Sequence, residues 1–274
     1  MQGLTMILHS FSGVGKSLLA DTAPGPRLIL DAEGGSRFTP SQPKIHWDPV
    51  WHPPPACPLL PEQFETYCPR IVTDENGADV TNPAFTALEA AGGKWESCIV
   101  FVREFATVSR VFQWLDSGQH AFVSVILDSL TEIQKRCKDA IVGTGHMAEQ
   151  AWGQLLVQME DLVRKFRDLV THPVRPVKAV VILAITAEKN GRLVPAIQGA
   201  LGSSLPGFVD IIGYMQVTTK EDGTPARQLL LQPWGNIEAK DRTDRFPMSV
   251  YVDKDRRDFI GLMWKKVNFN GGAA

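Results

Sequence analysis

The chain has 274 residues, of which 44% are apolar and 21% charged, and a formal net charge of -2. That much apolar material fills the core of one large domain or two small ones and excludes general disorder, while the near-neutral balance excludes a globally basic nucleic-acid coat and leaves room for a local basic groove. The four cysteines, Cys57, Cys68, Cys98 and Cys137, form no CxxC pair, and no leader is expected ahead of them; the apolar run Ala179 to Ile185 falls far short of the roughly 20 residues of a membrane helix. A reduced, soluble protein of the cytoplasm, with no membrane partner, is expected.

In chain order, LTMILH (Leu4 to His9) reads as a buried strand, followed by a glycine-rich turn and the helix-like KSLLADTA, which Pro24-Gly25-Pro26 stops. RLILDAE supplies a second strand, so the first 35 residues form a βαβ unit and predict a parallel sheet with helices on both faces. From about Thr39 to Trp95, prolines and polar turns exclude long regular elements, and the stretch reads as a Pro-rich insertion. It holds His46, His52, Cys57 and Cys68, whose spacing matches no familiar zinc finger, so loop packing outweighs a metal site.

Regular structure resumes with CIVFV, a helix from Phe105 to Asp116, and the strand AFVSVILD closing on Asp128. Trp152, Leu155, Met159, Leu162, Phe166 and Leu169 recur three or four apart, which predicts a helix over 149–170 with that face in the core. AVVILAIT is a further buried strand ending at Thr186. Beyond Pro206, DIIGYMQVTT and ARQLLLQP flank the turn at Asp222-Gly223 as a hairpin, MSVYVD adds a strand, and the tail 268–274 is expected to be disordered. The whole reads as a single α/β domain over 1–274, a mostly parallel sheet flanked by helices with a C-terminal antiparallel hairpin.

The loop from Ser10 to Ser17 fits the phosphate-binding pattern GxxxxGK[ST], with Ser10 in place of the first glycine. Ser12, Gly13, Val14, Gly15, Lys16, Ser17 and Leu18 are the expected nucleotide cradle: backbone N–H groups converge on phosphate oxygens, Lys16 reaches the β and γ phosphates, and Ser17 ligates Mg²⁺. Asp128 ends a buried strand where a Walker B carboxylate holds Mg²⁺ through water; the alternative is a cap for the next helix, with Ser129. Asp31 and Glu33, two apart at the end of the second strand, are expected on one face, with Glu33 as the base for the attacking water and a solvated turn carboxylate as the alternative. Lys240 and Arg242 in EAKDR are candidate transition-state cations, against a solvated charged turn.

The combination of GVGKS, LILDAEGG, VILDSLTEI, ILAITAEK, GRLVPAIQGALGSSLPGFVDIIGYM and EAKDR resembles the phage-encoded RecA-like P-loop NTPases related to the RadA core, which include single-strand annealing recombinases. The resemblance covers most of the chain apart from the insertion. It implies a RecA-like ATPase core binding ATP and Mg²⁺, Glu33 as the water-activating residue, Asp128 as Walker B, and Thr186 at the end of a γ-phosphate-sensing strand. Glu188 stands where relatives read histidine. It further implies a ring or filament with ATP at subunit interfaces, Lys240 and Arg242 reaching a neighbour's site, single-stranded DNA as partner, and a single-strand binding protein alongside it in the host cytoplasm. VGTGHMAEQ and NGRLVPAIQGALGSSLPG, with Lys189 and Arg192, occupy the places of the DNA-facing loops, or are ordinary surface loops. The rival readings are a P-loop kinase of a small metabolite or nucleotide, and an ATP-gated DNA-binding module with little turnover.

Overall fold

Each buried strand feeds two cores, because successive side chains leave a strand on opposite faces. In the computed structural model, which describes residues 2–199, 201–253 and 256–269, β1 (Leu4–Ser10) sends Ile7 to one core and Met6 and Leu8 to the other. The elements that follow are α1 (Lys16–Ala20), β2 (Arg27–Asp31), β3 (Lys44–His46), α2 (Phe64–Tyr67), β4 (Ile71–Thr73), β5 (Asp79–Thr81), α3 (Pro83–Ala90), β6 (Ser97–Phe101), α4 (Phe105–Asp116), β7 (Ser124–Asp128), α5 (Leu130–Val142) and α6 (Glu149–Asp168). The C-terminal part adds β8 (Ala179–Lys189), β9 (Arg192–Pro195), α7 (Leu201–Phe208), β10 (Ile211–Thr219), β11 (Pro225–Leu230), β12 (Lys240–Asp241), β13 (Ser249–Val252) and α8 (Phe259–Asn268).

The main sheet runs β13-β11-β10-β1-β8-β7-β2-β6-β3. Every pairing from β10 through β3 is parallel, whereas β11 and β13 continue antiparallel, and β12 and β9 pair antiparallel with β10 and β8. The expected parallel sheet flanked by helices, with its C-terminal hairpin, is therefore present. One face is covered by α4, α5, α6 and α7 and the other by α1 and α8. Parallel sheets need such two-sided cover because their strands are apolar on both faces.

Several boundaries differ from the sequence reading. The first helix stops at Ala20, where Asp21 ends it. The long helix α6 buries Leu155, Met159, Leu162 and Phe166, and Leu169 is buried in the 3₁₀ turn beyond it, but Trp152, in the first turn, is 40% exposed. Stretch 39–95 contains short elements: β3 is an edge strand of the main sheet, β4 and β5 form a separate hairpin, and Trp47, Phe64, Tyr67, Phe85, Leu88 and Trp95 join the core beneath α4 and α5. The tail begins with structure, since Asn268 closes α8 and bonds Gln2; residues 270–274 lie outside the described residues. Among the described residues no helix is long and apolar enough to cross a membrane, and the four cysteines are free thiols.

Candidate nucleotide site

Ser10, Asp31 and Asp128 close β1, β2 and β7 at the C-terminal end of the parallel strands, and Thr186 lies on β8 one residue past the Ser10–Ile185 pair. Gly13 and Gly15 have φ of 79° and 110°, a left-handed backbone that side chains disfavour, so only glycine lets the chain wrap this tightly before α1. Ser10, which departs from the pattern, is fully buried. Its hydroxyl donates to the Phe11 carbonyl at 2.7 Å and accepts from Lys16 Nζ at 3.1 Å. Lys16 Nζ also lies 3.2 Å from the Ser10 carbonyl and 3.3 Å from that of Phe11. The ammonium is thus held across the loop mouth; burial lowers its pKa, opposed by the charges of Glu33 and Asp128.

Ser17 Oγ donates to Asp128 Oδ2 at 2.6 Å. Burial raises the Asp128 carboxyl to about 6; the Ser17 hydrogen bond and the Lys16 charge pull it down, and the charges of Glu33 and Asp31 push it up. A hydroxyl and a carboxylate side by side are hard oxygen donors, which suits Mg²⁺ completed by phosphate and water. Among the described residues no group of three His, Cys, Asp or Glu side chains gathers to hold a metal alone. His46 instead stacks on Phe101 at 5.2 Å, His52 packs edge-on to Tyr67, and Cys57 and Cys68 contact the Trp95 carbonyl and the Asn82 amide.

Asp31 and Glu33 do not share a strand face, because β2 ends at Asp31. Asp31 is buried and shapes the loop: its carboxylate accepts from the backbone N–H of Glu33, Gly34 and Ser36 and from the Ser36 hydroxyl. Glu33 is presented by that loop, and its Oε1 accepts from Ser129 Oγ. Ser129 also caps α5, accepting from Glu132 N–H at 3.3 Å, so the helix-capping alternative describes Ser129 and leaves Asp128 to Ser17. The holding of Glu33 by Ser129 is absent from the sequence reading; the adjacent Asp-Ser pair at a strand end was its signal.

Thr186 does not end its strand. β8 runs on to Lys189 and turns through Asn190 and Gly191 into β9, with Thr186 opposite Pro195. Beside it on the P-loop strand, Ser10 pairs with Ile185.

A family model described as an AAA domain matches residues 2–243. The chain belongs to the AAA domain family. No curated protein matches the sequence. Among solved structures, an ATPase from the type III secretion system of pathogenic bacteria is similar at a TM-score of 0.42 and 10% identity over 78% of this chain, and the AAA domain spans about half of that structure's length, 52%.

In this AAA domain a cleft of about 630 Å³ touches the P-loop at Gly15 and is lined by Leu18, Phe38, Met215, Arg227 and Arg256 among others. Its size suits a nucleoside. Arg227, on β11, donates from Nε to the Val14 carbonyl at 2.7 Å and fills the space a Cβ on Gly15 would need; a lone arginine in a strand sequence carries no signal of this contact. Ser12 and Leu18 are both exposed beside the loop.

Lys240 and Arg242 lie elsewhere in the AAA domain, at the N-terminal end of β10, where Lys240 pairs with Ile212. Lys240 Nζ donates to the carbonyls of Pro206 and Val209, and Arg242 Nη2 donates to that of Gly207 at 2.9 Å. Both therefore cap the C-terminal end of α7, a favourable place for a cation. Burial lowers the Lys240 pKa, with Arg242 adding to it. Of the expected DNA-facing loops, residues 143–148 are an open turn between α5 and α6, and Lys189 and Arg192 are exposed on the β8–β9 hairpin.

Proposed function

We propose that this AAA domain hydrolyses ATP with Mg²⁺ and couples turnover to single-stranded DNA in phage recombination, by annealing or strand exchange. The observation that carries the hydrolytic part is the meeting of Lys16, the Ser17–Asp128 pair and the Ser129-held Glu33 at one end of the sheet. Lys16 neutralises the β and γ phosphates, and the backbone from Ser12 to Ser17 binds them. Ser17 and Asp128 hold the Mg²⁺, which supplies charge neutralisation on the phosphates. Leu18 and Phe38 flank the nucleoside. Glu33 orients the attacking water and takes its proton, and Ser129 fixes the carboxylate in that position.

The DNA part rests on the resemblance of the motifs, on the exposed Lys189 and Arg192 next to the Thr186 strand, and on the turn between α5 and α6. Backbone-tracking cations of this kind suit phosphate contacts. In a ring or filament, Arg242, 52% exposed at its side chain, is a better trans-acting cation than Lys240, whose ammonium is committed to α7. A single-strand binding protein would share the DNA substrate in the host cytoplasm.

The test is ATP hydrolysis by the full chain with and without single-stranded DNA, with Lys16→Ala as the control for contaminating ATPase. DNA stimulation that Lys16→Ala abolishes is the expected result. Hydrolysis indifferent to DNA overturns the coupling, and absence of hydrolysis with retained nucleotide binding overturns the enzyme reading.

A further inference from the structure

A buried cation outside the P-loop is committed to a loop of the nucleotide site. Lys44 stands on the edge strand β3, opposite Ser97 of β6, and is buried. Its Nζ donates to the carbonyls of Ser36 at 3.0 Å, of Arg37 at 3.2 Å and of Thr39. An ammonium has three protons and no acceptor, so these carbonyls use it completely. Burial lowers the Lys44 pKa, opposed by the charge of Asp21, and a desolvated ammonium is tolerable only with its protons bonded in this way.

The carbonyls belong to loop 32–39, which lies over the site. Glu33 accepts from Ser129 Oγ. A Cβ on Gly35 would stand 3.6 Å from Ser17 Oγ and 3.8 Å from Asp128 Oδ2, so the loop backbone rests against the hydroxyl–carboxylate pair. Phe38 lines the cleft that touches the P-loop at Gly15, with the Arg37 guanidinium 4.7 Å from its ring centre. Donors and acceptors of the loop are held separately. Asp31 takes the N–H groups of Glu33, Gly34 and Ser36, and Lys44 takes carbonyls along and just beyond the 3₁₀ turn Ser36–Phe38. Thr39 is buried, so without the ammonium its carbonyl reaches a new partner only if the loop opens to water.

We propose that Lys44 is a positioning residue of the nucleotide site, whose ammonium holds loop 32–39 in place and so sets Glu33 and Phe38 together. This rests on the ATPase reading above, in which Glu33 acts on the water and Phe38 flanks the nucleoside. It also gives β3, the first strand of the 39–95 stretch, a place in the site. Lysine suits the task, because three donors leave one atom toward three carbonyls, which a planar guanidinium fork does not reproduce.

The test uses the full chain, unmodified and as Lys44→Met, Glu33→Gln and the double variant. It measures kcat for ATP and the affinities for ADP and inorganic tripolyphosphate, each with Mg²⁺. Met keeps an unbranched stem and removes the donors. Lys44→Met is expected to lower kcat about tenfold or more and to weaken ADP binding about threefold or more, because Glu33 and Phe38 shift together. Tripolyphosphate carries no nucleoside and relies on Lys16 and the backbone from Ser12 to Ser17, so its affinity should stay within about twofold. In the Glu33→Gln background, Lys44→Met should change kcat by less than about twofold, since both act through one carboxylate, while the loss of ADP affinity persists.

A normal kcat in folded Lys44→Met would overturn the inference. Equal losses for ADP and tripolyphosphate would overturn it as well, being the mark of a general disturbance of the P-loop, and so would multiplying effects on kcat in the double variant. Should Lys44→Met fail to fold, hydrogen exchange on the unmodified chain decides: the amides of Glu33, Gly34 and Ser36 are expected to be protected, and free exchange there would show a loop that nothing holds. If the unmodified chain binds neither ADP nor tripolyphosphate and hydrolyses no ATP, the ATPase reading itself has failed, which is a different result from an ATPase indifferent to Lys44→Met.

Discussion

The nucleotide end of the sheet and the 39–95 stretch are built on opposite principles. At the nucleotide end, polar side chains from separate strands and loops meet: Lys16 on Ser10, Ser17 on Asp128, Glu33 on Ser129. In the 39–95 stretch, aromatic side chains do the joining. Trp47 and Trp95 both pack on Phe122 at ring separations of 5.9 and 5.8 Å, and Phe64 meets Phe85 edge-on at 6.1 Å. Buried apolar area stabilises in proportion to its extent and needs no particular chemistry, whereas clustered carboxylates and a half-desolvated lysine lower stability in return for function. The difference teaches that a segment poor in regular structure can still be tied into the core by its aromatic side chains.

The comparison can be broken by substitutions that move rate and stability independently. The largest expected effect is on the nucleotide side. Glu33→Gln should slow ATP hydrolysis by roughly 10²- to 10⁴-fold while keeping nucleotide binding and melting close to wild type; single-turnover hydrolysis with thermal denaturation checks both, and an unchanged rate removes Glu33 as the base. Next comes the aromatic segment. Phe85, 2% exposed, should cost about 3–5 kcal/mol of stability as Phe85→Ala, with nucleotide affinity per folded molecule unchanged, as denaturant titration beside nucleotide binding will show.

Acid should weaken the fold through two buried histidines, one at the site end and one beside the aromatic side chains that anchor 39–95. His9 at the site end is lowered to about 4 by burial, with Lys16 contributing. His120, stacked on the same Phe122 that Trp47 and Trp95 contact, is lowered to about 4 by burial first and then by the charges of Arg175 and His172. A folded-state pKa below the unfolded value means that the unfolded chain binds more protons between pH 6.5 and about 4. Stability is therefore full above pH 6.5 and falls as the pH drops through that window, by up to about 3 kcal/mol per histidine. His120→Phe should remove its share of the acid loss in pH-dependent unfolding; an unaltered acid profile would show that His120 is not protonated on unfolding. The smallest effect concerns Asn82, which caps α3 by accepting from Ala84 N–H at 3.0 Å. Asn82→Ala should cost about 1 kcal/mol and leave hydrolysis untouched.

Legibility in the sequence followed the same division. The P-loop, the strand carrying Asp128, helix α4 and the β10–β11 hairpin could be read directly, because a local pattern of glycines, apolar runs or turn residues specifies each of them. Within 39–95, β3 was not legible: a three-residue edge strand between prolines has no periodicity of its own and forms because β6 offers it hydrogen-bond partners. The β8–β9 hairpin escaped for a related reason, since the apolar pattern stops at Thr186 while the strand continues on backbone pairing alone.

What the sequence by itself determined is the parallel α/β architecture and the identity of the P-loop, since both rest on short-range patterns in which each residue type limits its own backbone. Only the tertiary structure decided that Asp31 shapes a loop while Ser129 holds Glu33, that Arg227 reaches Val14 across more than 200 residues of chain, that Lys240 and Arg242 close the end of α7, and that His9 bonds the Thr186 hydroxyl. Apart from the Asp31 turn, whose partners Glu33, Gly34 and Ser36 are local, each of these is a hydrogen bond between segments remote in sequence, and its direction depends on which donors and acceptors the finished packing leaves in reach.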